Sequence, residues 1–115
     1  MQIQMLYSKL RFATVTESNM RYNGSIGICK QIMKDLDIVE GQVVNVNSLD
    51  GSVRTQTYVI PEDEPGAIVI RGGLASLLYK GDDIHINVYC SMSKESALEH
   101  KPIVIESNKP YIKKK

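Results

Sequence analysis

Residues 43–60 read VVNVNSLDGSVRTQTYVI, and this stretch decides the class of fold. Val43-Val44-Asn45-Val46 has the β-branched composition of a strand. Val53, Thr55, Thr57 and Val59 then alternate with Arg54, Gln56, Tyr58 and Ile60, the period of two expected of a strand with two unlike faces. Asp50-Gly51 lies between the two runs and predicts a hairpin with a type I′ turn, whose central residues both need positive φ.

Working outward, the same signals recur. Upstream, residues 3–17 place Leu6, Leu10, Phe12, Ala13 and Val15 among Thr14 and Thr16, and Ser18-Asn19 punctuates the chain before Met20-Arg21-Tyr22. Ile26 and Ile28 flank Gly27 in a further short strand after Ser25. Lys30 to Leu36 is the one helical window, since Ile32, Met33 and Leu36 fall on one face, and Glu40-Gly41 closes that unit. Downstream, Pro61–Gly66 is a polar turn and Ala67–Ile70 an apolar strand. Gly72-Gly73 opens one or two helical turns over Leu74–Leu78. Gly81-Asp82-Asp83 turns into the strand Ile84–Tyr89, and Ile103–Ile105 is the last strand. Short strands with frequent turns, and no repeat or linker, predict a single domain over residues 1–115. It is mainly β, a small closed barrel with one or two short helices, because closure removes exposed strand edges.

Composition excludes several functions. Fourteen basic and thirteen acidic residues give a net charge of +1, which argues against nucleic-acid or membrane-surface partners drawn by long-range attraction. The basic run Lys113-Lys114-Lys115 reads as a solvated terminus. No apolar run approaches the roughly 20 residues that span a bilayer, and the first residues lack a signal-peptide pattern, so the cytoplasm is the expected compartment. Cys29 and Cys90 lack metal or redox spacing and read as reduced, buried and inert. His85 alternates with Ile84 and Ile86 in a strand, and neither it nor His100 has ligand-spaced partners, so no metal is expected. No nucleotide-binding or conventional hydrolase motif is present.

Tyr22-Asn23-Gly24-Ser25-Ile26 is the segment with chemical potential. By spacing alone Asn-Gly is a plain turn, and Asn23-Gly24-Ser25 is also formally a glycosylation sequon. A serine directly after a glycine, however, can attack the preceding carbonyl, which no Cβ shields. Amide becomes ester, elimination across Ser25 breaks the chain, and the resulting dehydroalanine hydrolyses to a pyruvoyl group. Such a ketone condenses with a substrate amine and takes up the electrons left when a carboxylate departs as CO₂.

With these residues in place the chain resembles the bacterial aspartate 1-decarboxylases, pyruvoyl-dependent lyases that make β-alanine for pantothenate synthesis. Met5-Leu6-Tyr7-Ser8-Lys9-Leu10, Ala13-Thr14-Val15-Thr16, Tyr22 with Gly24-Ser25, Asp50-Gly51-Ser52-Val53-Arg54, Thr55–Ile60, Gly81-Asp82 and Lys101-Pro102 stand in the family's order. The resemblance implies a six-stranded double-psi β-barrel, made as a zymogen, assembled as a homotetramer with active sites between subunits, and open to service by a maturation factor. It implies cleavage after Gly24 into a short β chain and a longer α chain, with Ser25 as pyruvoyl precursor and Schiff-base former. Tyr58 is implied as proton donor and Arg54 as the carboxylate anchor. Lys9, Thr57, Gly73, Leu74 and Ala75 are implied as substrate contacts, with Tyr22, Arg11 and Gly72 in support. The substrate implied is the small acidic amino acid aspartate.

The sequence departs from the family where its usual NGAAA reads Gly72-Gly73-Leu74-Ala75-Ser76, and where Arg11 replaces a usual histidine. A leucine at 74 would crowd a tight pocket. Two other readings follow from these changes: a decarboxylase of another small amino acid, and an uncleaved, non-catalytic barrel serving as a binding or assembly module.

Overall fold

The central hairpin is β4 (Val43–Ser48) with β5 (Arg54–Glu62) in a computed structural model that describes residues 1–112. The Lys113–Lys115 tail lies outside the described residues. Val44 stands opposite Thr57 and Val46 opposite Thr55. Val44, Val46 and Val59 are buried, whereas Arg54, Gln56 and Tyr58 face outward, so the period of two is realised. The turn is not type I′, because only Gly51 of the Asp50-Gly51 pair has positive φ. The Asp50 carboxylate organises a longer loop instead. It accepts from the Ser52 amide at 2.9 Å and from the Ser48 and Ser52 hydroxyls at 2.7 Å each. The Ser52 amide, followed by these hydroxyls, holds its pKa down at about 2.

The remaining strands are β1 (Gln2–Thr14), β2 (Glu17–Asn19), β3 (Ser25–Cys29), β6 (Ile68–Arg71), β7 (Asp83–Ser93) and β8 (Ile103–Ile105). Their hydrogen-bonded order is β2-β6-β3-β5-β4-β7-β1-β8. As a ladder this order has two ends. The chain joins them, because β1 and β2 are one run interrupted only at Val15-Thr16. On the β7 side the Val15 amide donates to Asp82 and its carbonyl accepts from Gly81; on the β6 side the Thr16 amide donates to Ile68, each at 2.8 Å. A circuit of β1/β2, β6, β3, β5, β4 and β7 results, consistent with a double-psi β-barrel, with β8 added outside. The circuit has the expected six members; the described residues show eight separate strands because the first run is split and β8 lies beyond the circuit.

Burial explains the pattern. Leu10, Ile26, Ile28, Val44, Val46, Ile84 and Ile86 are fully buried within the circuit. Helix α1 (Lys30–Leu36) lays Ile32, Met33 and Leu36 against them. It ends at Asp37, in the left-handed region at φ 58, rather than at Glu40-Gly41. Aspartate tolerates that conformation, and the Asp37 carboxylate accepts the Tyr7 hydroxyl proton.

Other boundaries move for local reasons. Ser18-Asn19 is strand rather than punctuation, paired with Ile70 and Arg71. The expected turn Pro61–Gly66 begins only at Asp63, because Pro61 and Glu62 continue β5 alongside Ile28 and Cys29. Helix α2 (Lys94–Glu99) escaped notice because it buries no residue and so has no apolar stripe. Both cysteines are free, Cys29 buried as expected but Cys90 only half-buried. No helix among the described residues is long and apolar enough to cross a membrane.

Asn108 locks the far end of the chain to this circuit. Fully buried, it donates to the carbonyls of Thr14 at 3.0 Å and Gly66 at 2.8 Å and accepts from the Thr14 amide at 2.8 Å. Replacing it with alanine strands those backbone groups, so Asn108→Ala should lose roughly 2–3 kcal/mol of stability in urea titration. Loss of less than about 0.5 kcal/mol would show that water replaces the side chain.

Candidate active site

β3 positions the chemistry. It pairs with β6 on one edge, Ser25 opposite Arg71 and Ile26 opposite Ile70, and with β5 on the other, Ile26 beside Val59. All five residues of β3 are buried, which is why its sequence reads as a near-continuous apolar run. The turn before it, Tyr22-Asn23-Gly24, is exposed. The Gly24–Ser25 bond therefore crosses from solvent into the body of the protein, and Ser25 itself is only 4% exposed.

Two glycines shape the approach to this bond. At Gly24 a Cβ would meet nothing within 4 Å, so one side of its carbonyl region is unobstructed. At Gly72, with φ +78, a Cβ would lie 2.6 Å from the Gly24 Cα, 2.7 Å from its nitrogen and 3.0 Å from the Tyr22 carbonyl oxygen. Gly72 thus rests directly on the backbone of Gly24. Continuing the β3–β5 register back one residue from Ile26 and Val59 sets Ser25 beside Tyr58, and a second residue back sets Gly24 beside Thr57. Tyr58 is 38% exposed and on the outward face, while Thr57, opposite Val44, is on the other.

Gly72–Ser76 forms a single 3-10 turn, in place of the expected Leu74–Leu78 helix. The Ser18 hydroxyl on β2 donates to the Leu78 carbonyl at 2.7 Å and ties down its far end. Gly73 is exposed and Ala75 buried. Leu74 is half-buried and packs against the hydrophobic core.

Lys9, Arg11 and Arg54 lie elsewhere. Lys9 pairs with Asn87, Asn87 with Asn45, and Asn45 with Gln56, a polar row across β1, β7, β4 and β5. Lys9 is on β1, which makes no ladder with β3. Arg54 is on the Tyr58 face but four residues along β5, roughly 13 Å away. It stands opposite Asn47, which also faces His85. Arg11 is engaged, 3.3 Å from the Glu106 carboxylate and 5.0 Å from the Phe12 ring centre. Burial, then the charges of Lys9 and Arg11, lower the pKa of His85. The chain therefore gathers Tyr22, Gly24, Ser25, Gly72, Thr57 and Tyr58 around the start of β3, and it carries a basic strip of Lys9, Arg11, Arg54 and His85.

A family model described as aspartate decarboxylase matches residues 1–111. The chain belongs to the aspartate decarboxylase family. Among its relatives, a protein named aspartate 1-decarboxylase from Clostridium novyi is 38% identical over 109 residues, covering 94% of this chain and 89% of the relative. Proteins of the same name from Campylobacter fetus and Clostridium botulinum are 39% and 42% identical, over 94% and 91% of this chain and 94% and 84% of theirs. The resemblance drawn from its motifs is borne out.

Three residues near the site of this family member escaped the sequence reading. Arg71 and Glu62 form an ion pair of 2.6 Å over β3, and His85 joins the basic strip. Gly27 was the available signal for the first two, since a glycine inside an apolar strand marks a close approach. Gly72→Ala forces a Cβ into the Gly24 backbone at a φ that alanine resists. Thermal or urea unfolding should register a loss of roughly 1–3 kcal/mol, and unchanged stability would mean that the Tyr22–Gly24 turn yields freely.

Proposed function

We propose that this chain cuts itself between Gly24 and Ser25 and, with the pyruvoyl group so formed, decarboxylates L-aspartate to β-alanine and CO₂. The observation that carries this is a buried Ser25 directly after an unobstructed Gly24, in a chain of the aspartate decarboxylase family. The Ser25 Oγ attacks the Gly24 carbonyl carbon. The C–N bond breaks, the Ser25 nitrogen takes up the hydroxyl proton, and an ester links the two residues. Loss of the Ser25 α-proton expels the Gly24 carboxylate and leaves dehydroalanine; water then replaces its nitrogen, released as ammonia. The surroundings fit this group, because Gly24 carries no side chain and Gly72 adds none against it.

Once formed, the pyruvoyl group supplies a ketone that binds the substrate amine and accepts the electron pair freed with CO₂. The chain's own residues do the rest. Tyr58, one register step from Ser25 and partly exposed, returns a proton to the substrate carbon. Thr57, beside Gly24, supports the scissile carbonyl during cleavage. Arg54 holds the substrate's side-chain carboxylate by its two-pronged donors, and Lys9 adds positive charge. Gly73, Leu74 and Ala75 border the substrate, with Leu74 turned onto the core and so leaving room for aspartate.

The offset of Arg54, four residues along β5 from Tyr58, favours sites completed by a neighbouring subunit. Val43 and Tyr58, cross-strand neighbours with exposed side chains, and exposed Phe12 and Tyr89 offer apolar contact for a homotetramer. A cytoplasmic biosynthetic lyase, with neither metal nor nucleotide and with a maturation partner, is the setting proposed.

Intact mass spectrometry should find fragments 1–24 and 25–115, with a borohydride-stable adduct on the larger one when aspartate is present. Ser25→Ala should stay uncut and inactive; activity surviving that change sinks the pyruvoyl mechanism. In the matured enzyme, Tyr58→Phe should lower kcat on the order of 100-fold, and Arg54→Met should raise KM for aspartate. Faster CO₂ release from another amino acid would overturn the choice of substrate.

A further inference from the structure

Three side chains that this reaction does not consume cover the outer face of β3. Arg71 stands opposite Ser25 and Glu62 beside Cys29. Their charges meet over the strand between them, 2.6 Å apart, with the two side chains 21% and 18% exposed. Gly27 lies beneath the bridge. A Cβ there would come within 2.2 Å of the Glu62 carboxylate, so the bridge exists because residue 27 has no side chain. On its other side the Arg71 guanidinium lies 5.7 Å from the centre of the Tyr22 ring. The ion pair on one side and the cation–π contact on the other together hold the group.

The turn Tyr22-Asn23-Gly24 is exposed. At Gly24 a Cβ would meet nothing within 4 Å, and Gly72 lies against the Gly24 backbone. Attack on the Gly24 carbonyl requires that the carbon stay within reach of Ser25 Oγ, and such orientation governs intramolecular rates.

We propose that Arg71 is a positioning residue for self-cleavage: anchored on Glu62, it grips the Tyr22 ring and holds Gly24 against Gly72, with its carbonyl presented to Ser25. This rests on the reading that the Gly24–Ser25 bond is cut. Arg71 touches neither reacting atom. Its planar, charged group suits the task because it stacks on an aromatic ring while facing a carboxylate, which an ammonium does poorly.

The test is the first-order rate at which the full chain becomes fragments 1–24 and 25–115, followed by intact mass on freshly made protein. Arg71→Met and Tyr22→Leu should each slow cleavage by about ten-fold or more. The double variant should be no slower than the slower single one, because both remove the same contact. Arg71→Lys, which keeps the Glu62 pair and guards against a folding defect, should cleave at an intermediate rate. Arg71→Met that has finally matured should keep kcat and KM for aspartate within about two-fold of the parent, which separates positioning for cleavage from a substrate contact. Cleavage of Arg71→Met at the parent rate, multiplicative slowing in the double variant, or a raised KM would each overturn the inference. A parent chain that is never cut would overturn the underlying reading and this inference together.

Discussion

The double pairing of β3 is the constraint around which the other elements are arranged. Ser25–Cys29 is paired with β6 on one edge and β5 on the other, and every residue in it is buried. Burying Ile26 and Ile28 contributes about 2 kcal/mol each, enough to fix where the strand begins. The strand starts at Ser25. Tyr22–Gly24, just before it, face solvent, and Ser25–Cys29 belong to the core.

Much of this was legible from the chain alone. The alternation over Val53–Ile60 and the stripe Ile32, Met33, Leu36 fixed a strand and a helix whose burial matches. The Asp50-Gly51 turn was located but mistyped, because the carboxylate finds donors on both flanking serines and forms a loop that the dipeptide rule does not describe. Helix α2 and strand β2 were missed for opposite reasons. The first buries nothing, and the second draws its order from Val69, Ile70 and Arg71, some fifty residues away in sequence.

The site divides the same way. Gly24-Ser25 and its neighbours were identifiable because motif spacing survives in one dimension. The Arg71–Glu62 bridge was not, since it depends on two registers meeting over one strand. Gly27 and Gly72 are the traces of these contacts in the sequence. Each is a position where the absence of a side chain makes room for something else, a carboxylate in one case and the backbone of Gly24 in the other. The basic strip of Lys9, Arg11 and Arg54 likewise makes sense only as a surface, drawn from strands that are distant in the chain.

The split run β1/β2 carries a further consequence. Cleavage after Gly24 would sever it covalently from everything else, yet β1 remains laddered to β7 from Gln2 to Thr14 and lies between β7 and β8. The severed piece is also the piece that brings the two ends of the strand order together. An uncut chain assembles this fold in a unimolecular process; a chain cut there would be a complex of two peptides, whose reassembly from denaturant would depend on concentration. Folding before cutting would spare the architecture that bimolecular step.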